Sequence, residues 1–166
     1  MDLDLKIVSK DINEMLWKAG KTLACAESCT AGRISSVITA IPGSSNYFKG
    51  GLVCYADEVK SELLKVDPNI IAEKTAVCEE VVKQMVAGAA DLFHCDYVVA
   101  TTGFAGPAGT DTIKVGTIWV AVGTKDKVIT CLLEEDNGRD KNVAAAVNKA
   151  MHMLRDLLKD EEAEEV

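Results

Sequence analysis

Between an uncharged run and a helical pattern, the chain places Glu27-Ser28-Cys29-Thr30-Ala31-Gly32, with two hydroxyls and a thiol in consecutive positions. At a helix start, unpaired backbone N–H groups and the positive dipole end favour developing oxyanions, so a nucleophilic Ser28 would gain electrophilic help there. Ser and Thr are also the preferred helix N-caps, which leaves a purely structural role open. A serine nucleophile further needs an activating base. Cys29 offers a second nucleophile, whose pKa a helix N-terminus would lower. No histidine stands near it in sequence, and a small packed core residue is the alternative.

Tyr55 and Lys60 are candidates for handling protons. A lysine shielded from water can lose its proton near neutrality, and a tyrosine can relay or donate one. A solvated helix lysine and a strand-end aromatic are the alternatives. Arg139, within Asn137-Gly138-Arg139-Asp140, presents a fork of donors suited to a phosphate or a developing negative charge. Exposed pairing with Asp136 or Asp140 would be worth little. Thr101-Thr102-Gly103-Phe104-Ala105-Gly106-Pro107-Ala108-Gly109-Thr110 is a loop of small residues after an uncharged run, where backbone amides can approach a phosphate or carboxamide closely. It lacks the lysine-serine ending of a P-loop, and a plain surface turn accounts for its composition equally. Gly43-Ser44-Ser45 after Pro42 reads as turn chemistry.

The elements that must position these groups follow from periodicity. Ile7, Val8, Ile12, Met15 and Leu16 predict a first amphipathic helix from Ile7 to Lys18, stopped by Gly20. Thr22 to Ala26 predicts a short buried strand, and Ile34, Val37, Ile38 and Ile41 a helix over 31–41 that Pro42-Gly43 ends. Ser28 would thus join a strand to a helix start. Tyr47 to Tyr55 predicts a strand, with Gly50-Gly51 marking a bulge or close approach; Asp57 opens a helix to about Lys65 that carries Lys60. A helix over Glu79–Phe93 and a strand over Tyr97–Thr102 follow. Val115–Gly123 and Lys127–Leu133 are spaced as a hairpin, and a last helix spans Lys141–Leu158. No repeat or composition break divides the chain. The expected architecture is a single-domain layered α/β sandwich with a mixed sheet over residues 1–159, followed by an acidic tail over 160–166 whose like charges favour solvated coil.

The chain has 166 residues, 48% of them hydrophobic, enough for one domain with a contiguous core. With 26 acidic against 18 basic residues the net charge is −8, which excludes a diffuse positive field for nucleic acid or anionic lipid. The N-terminal residues lack signal-peptide character and no apolar run approaches ~20 residues, so a cytoplasmic protein is expected. Six cysteines stand singly in apolar segments, which suits reduced core residues, and His94 and His152 lie far apart. No metal is expected.

The ordered set Ala26-Glu27-Ser28-Cys29-Thr30, Gly43-Ser44-Ser45, Gly51-Leu52-Val53-Cys54-Tyr55 with Lys60, Gly103-Phe104-Ala105-Gly106-Pro107, Val115-Gly116-Thr117 and Gly138-Arg139-Asp140 resembles the CinA C-terminal domain family over nearly the whole chain. Enzymatic members of that family are nicotinamide mononucleotide deamidases. The resemblance implies hydrolysis of the carboxamide of this small nucleotide to nicotinic acid mononucleotide and ammonia, without a cofactor. Ser28 would be the nucleophile and Tyr55 and Lys60 the proton-handling partners. Thr30, Ser45, Gly103, Ala105, Gly106 and Arg139 would bind substrate, and the family commonly self-associates. A non-catalytic nucleotide-sensing module and an amidase for another small carboxamide are the competing functions. Two departures stand out: Ala31-Gly32 replaces the usual Gly-Gly, a change that a helix's first turn should accept, and the loop Ala108–Lys114 is one residue shorter. The larger CinA proteins carry a further N-terminal domain, so this chain reads as the stand-alone form.

Overall fold

The computed structural model describes residues 1–166. A first helix α1 (Leu3–Ala19) leads into strand β1 (Leu23–Glu27), helix α2 (Arg33–Thr39), a 3-10 turn at Ser44–Asn46 and strand β2 (Phe48–Val53). Three helices follow, α3 (Asp57–Leu64), α4 (Pro68–Lys74) and α5 (Glu79–Phe93), then strands β3 (Tyr97–Gly103), β4 (Ile118–Gly123) and β5 (Val128–Leu133), and a long helix α6 (Arg139–Glu164). The five strands form one sheet in the order β2-β1-β3-β4-β5. β1 runs parallel to both its neighbours, while β4 and β5 turn back antiparallel, which makes the sheet mixed.

Both faces of the sheet are covered, and that explains why β1 and β3 are nearly continuous apolar runs rather than alternating ones. On one face α1, α2 and α6 pack Val8, Ile12, Leu16, Ile34, Ile38, Met151 and Leu154 over Cys25, Val99 and Val120. On the other, α3 and α5 pack Leu64, Val82, Met85 and Val86 over Ala26, Val98, Ala100 and Ala121. Burying a Leu, Ile or Met side chain contributes on the order of 1.5–3 kcal/mol, so these two layers supply most of the folding drive.

Two expectations need correction. The acidic tail is not coil: α6 continues through Glu164, because Leu157 and Leu158 anchor its last turns and the tail carboxylates find partners. Glu161 accepts the hydrogen bond of the Tyr97 hydroxyl and Glu162 pairs with Lys18 at 3.3 Å. Burial first, and then this carboxylate, hold the Tyr97 phenol well above its ordinary range. Helix α4, unforeseen, is specified locally: the Asp67 side chain accepts from the Asn69 N–H at 2.8 Å and Pro68 occupies the first helical position.

No helix is long and apolar enough to cross a membrane. All six cysteines are free; Cys25, Cys29 and Cys54 are core residues, whereas Cys78, Cys95 and Cys131 are only half-buried.

Candidate active site

From β1 the chain crosses one face through α2 to β2, then returns over the other face through α5 to β3 on β1's far side. The crevice between the C-terminal ends of β1 and β3 is therefore the topological switch point, where open α/β sheets receive ligands. Ser28 follows β1 directly, Tyr55 comes two residues after β2, Gly103 ends β3, and Arg139 begins α6. A cavity of 260 Å³ opens here, walled by Ser28, Cys29, Tyr55, Gly103, Gly106 and Arg139 among others.

Ser28 is held by its backbone. Its N–H donates to the Thr101 carbonyl at 3.1 Å, and the Cys54 N–H donates to the Glu27 carbonyl at 2.9 Å, which stitches the turn between β3 and the end of β2. The helix start expected here lies further on. α2 begins at Arg33, after Ala31 at φ 47° and Gly32 at φ 89°, so Ala31 sits in a left-handed turn rather than in a helix's first turn. Nor does the end of α2 serve Ser28. Glu27, 1% exposed, accepts at Oε1 from the Thr30 hydroxyl and the Ile34 N–H, both 2.8 Å, and at Oε2 from the Ser35 N–H at 3.0 Å and its hydroxyl at 2.7 Å. Four donors neutralise the carboxylate's need, and the N-terminus of α2 is spent on it. No backbone acceptor takes the N–H of Cys29. That amide follows Ser28 as the oxyanion-binding amide follows the nucleophile in a strand-to-turn elbow.

Lys60 lies behind this turn. Only 1% exposed, it donates to the Tyr55 carbonyl at 3.2 Å and stands 3.8 Å from the Asp57 carboxylate. Burial pushes the Cys29 thiol up to about 11, with a hydrogen bond from Thr101 and the Lys60 charge pulling partly back. The Cys54 thiol feels the same lysine and is likewise raised by burial. Cys29 is thus held as the thiol rather than the thiolate at neutral pH, so that of the two adjacent residues lining the cavity Ser28 is the better candidate nucleophile.

Arg139 closes the opposite wall. Its guanidinium donates to the Gly106 carbonyl and, at 3.3 Å, to the Tyr55 hydroxyl, joining three chain segments. Asn142, one turn on and buried, donates to the Ala105 carbonyl and to Asp136, both at 2.9 Å, and accepts from the Asn137 N–H at 2.8 Å. The hydrogen bond from Asn142 and one from the Gly138 N–H lower the Asp136 carboxyl below its ordinary value. Gly103 is required sterically: a Cβ there would lie 2.6 Å from Ile118 Cγ1 and 2.8 Å from the Thr117 carbonyl oxygen.

Ser28, Tyr55, Gly103, Ala105, Gly106 and Arg139 are accordingly brought together, with Lys60 directly behind them. Two residues are not delivered to the cavity. The Thr30 hydroxyl is turned inward, bonded to Glu27 and Thr101. Ser45 is exposed in the turn before β2, beside Tyr47, whose carbonyl accepts from Leu23 at the start of β1. A five-residue strand at ~3.3 Å per residue separates it from Ser28, roughly 17 Å, because a parallel pair puts both strand starts at the same end. Glu27 and Asn142 escaped the sequence reading. Their only signals are a lone charge closing an uncharged strand and an amide one turn after Arg139.

The fold and site define a class: a single three-layered α/β domain with a serine, a tyrosine, a buried lysine and an arginine gathered at the switch point of a mixed sheet. The model of the CinA C-terminal domain matches residues 5–158, and the chain belongs to that family. It is 34% identical over 158 residues to a CinA-like protein of Cytophaga hutchinsonii, covering 95% of this chain and 38% of that protein. It is 43% identical over 148 residues to a CinA-like protein of Mycolicibacterium paratuberculosis, covering 86% and 34%. The chain thus spans little more than a third of the length of these curated relatives. Among solved structures, the competence/damage inducible protein CihA of Agrobacterium tumefaciens superposes with a TM-score of 0.89 at 30% identity, covering 96% of this chain and 99% of that one. A CinA superfamily protein of Klebsiella pneumoniae gives 0.89 at 29%, covering 94% and 98%.

Proposed function

We propose that this chain hydrolyses the carboxamide of nicotinamide mononucleotide, giving nicotinic acid mononucleotide and ammonia, with Ser28 as nucleophile. The observation that supports it most is the convergence on one 260 Å³ cavity of Ser28, Tyr55 and Arg139, with the Lys60 amine buried behind Ser28's turn. Ser28 Oγ attacks the carboxamide carbon while its hydroxyl proton passes to the Lys60 nitrogen. The carbon–nitrogen bond then breaks, and that proton, relayed by Tyr55, leaves with the nitrogen as ammonia. Water attacks the resulting ester, its proton returning to Ser28 Oγ through the same amine, and releases the carboxylate. In this reading the Cys29 N–H, which has no backbone acceptor, receives the developing oxyanion, and Arg139 holds Tyr55 in place while its remaining donors meet the nucleotide's charge.

A second reading, an amidase for another small carboxamide, is favoured by the exposed rim at residues 107–112, most of it in the shortened loop, where the outward part of a ligand would meet it. Ammonia release measured over a panel of nicotinamide mononucleotide, nicotinamide, its riboside and unrelated carboxamides separates the two. Turnover confined to the mononucleotide is expected. Preference for another amide moves the assignment to the second reading, and inactivity of the folded protein on every amide leaves a nucleotide-sensing module.

A further inference from the structure

The two edges of the sheet are built differently. β2 is defended: its ladder with β1 skips from Leu23 opposite Phe48 to Ala24 opposite Gly50, leaving the exposed Lys49 in a bulge. Bulges and edge lysines are the usual devices that stop strands from pairing with another molecule. β5 has neither. Val128-Ile129-Thr130-Cys131-Leu132-Leu133 pairs regularly with β4 and contains no charge, proline or glycine. No strand lies on its other side, and Ile129 and Leu132 are 41% and 37% exposed.

Charge identifies what covers this edge. Lys127 stands just before β5, and Glu134 and Glu135 just after it. None of the ion pairs within the chain uses any of the three. The neighbouring Lys125 is already bound to Asp91 at 2.6 Å. A strand basic at one end and acidic at the other is complementary to its own antiparallel copy. We propose that β5 pairs antiparallel with β5 of a second copy of this chain, joining two five-stranded sheets into one across a two-fold axis.

The register follows from symmetry. A two-fold normal to the sheet preserves its faces, so only residues of like parity can oppose one another. The two registers that pair most of the strand place either Thr130 against Thr130 or Cys131 against Cys131. Both set Asp126 against an acidic residue of the second copy, Glu134 in the first and Asp136 in the second, so the choice falls to Lys127, which in the first faces Leu133 and finds no acid. The second sets Lys127 against Glu135, Ile129 against Leu133 and Thr130 against Leu132, and is the one proposed. In it the two Cys131 residues oppose each other at the centre, with Cα atoms about 4.5–5.5 Å apart, inside the range that a disulfide spans.

Sedimentation of the full chain over a concentration series should give a two-chain mass at the upper end, and Ile129→Lys, at an exposed position, should return it to one chain with unchanged circular dichroism. Lys127→Glu should weaken association, and Lys127→Glu with Glu135→Lys should restore it. Mild oxidation of a Cys78→Ser/Cys95→Ser background should yield a cross-linked dimer that Cys131→Ser abolishes. A one-chain mass at every concentration, or a dimer indifferent to Ile129→Lys, overturns the interface. Cross-linking by Thr130→Cys in a Cys131→Ser background, with none through Cys131, overturns the register.

Discussion

Two nearly fully buried residues of charged type flank Ser28, and they are treated in opposite ways. On the β1–α2 side, the Glu27 carboxylate receives four hydrogen bonds at 2.7–3.0 Å from three residues. On the α3 side, the Lys60 amine has a single acceptor, the Tyr55 carbonyl, and a distant exposed carboxylate. Burying an ionisable group is costly unless its partners are in place. Glu27 is fully satisfied and its work is to hold a turn. Lys60 keeps spare capacity at the rear of the cavity, which is what the proposed proton transfer asks of it. The difference teaches that burial alone does not mark a chemical residue; the proposal for Lys60 rests on burial with few partners beside a cavity-lining hydroxyl.

The comparison breaks first in activity. Ser28→Ala and Lys60→Met should each lower ammonia release at least about a thousandfold, and the double variant should be hardly worse, because groups acting as a unit are not additive. Near-normal turnover by folded Ser28→Ala protein would sink the serine mechanism. Lys60→Met should at the same time leave urea stability within about 1 kcal/mol or raise it, since an apolar isostere replaces a poorly partnered amine. A large loss would make Lys60 a structural residue like Glu27.

Stability is where Glu27 should show itself. Glu27→Ala strands the Thr30 and Ser35 hydroxyls and the Ile34 and Ser35 N–H groups, for roughly 3–5 kcal/mol by urea unfolding. Glu27→Gln keeps one acceptor and turns a donor toward donors, so about 1–3 kcal/mol is expected. Equal stability of all three proteins would remove the contrast on which the comparison rests.

Cys29 gives a smaller, pH-dependent effect. Its thiol is raised from 9.0 to about 11, so below pH 9 it stays protonated and should resist iodoacetamide in the native state. The sign follows directly: the folded form holds this proton more tightly, so its stabilising contribution is complete below pH 9 and declines as pH rises toward 11. Rapid native-state alkylation at pH 7.5, followed by mass spectrometry, would reopen Cys29 as the nucleophile.

The smallest expected effect lies at Ala31, a non-glycine residue at φ 47°. Ala31→Gly should stabilise by roughly 0.5 kcal/mol, the relief of a left-handed alanine less the added freedom of the unfolded chain. A lower thermal midpoint for Ala31→Gly would show that the turn is not strained.

Much of this molecule is legible without coordinates. The helix over Glu79–Phe93 and the β4–β5 hairpin follow from periods that each segment carries within itself, and Asp67-Pro68 would have announced α4 to a closer reading. The site's chemical types could also be named in advance, because a serine, lysine, tyrosine and arginine are chemistry wherever they stand. Their grouping was not local information. Ser45 and Ser28 look alike in sequence, each in a turn beside a strand, yet the parallel pairing of β1 and β2 sends them to opposite ends of the strands. Thr30 faces inward, toward Glu27 three residues before it and toward Thr101, which arrives on the adjacent strand. The acidic tail reads as coil until Lys18 and Tyr97, distant in sequence, supply its partners. Sequence determined the elements and the inventory of reactive groups, since those depend on near neighbours. Which groups meet, and which spend their hydrogen bonds on one another, depended on strand order and crossover, which only the folded chain decides.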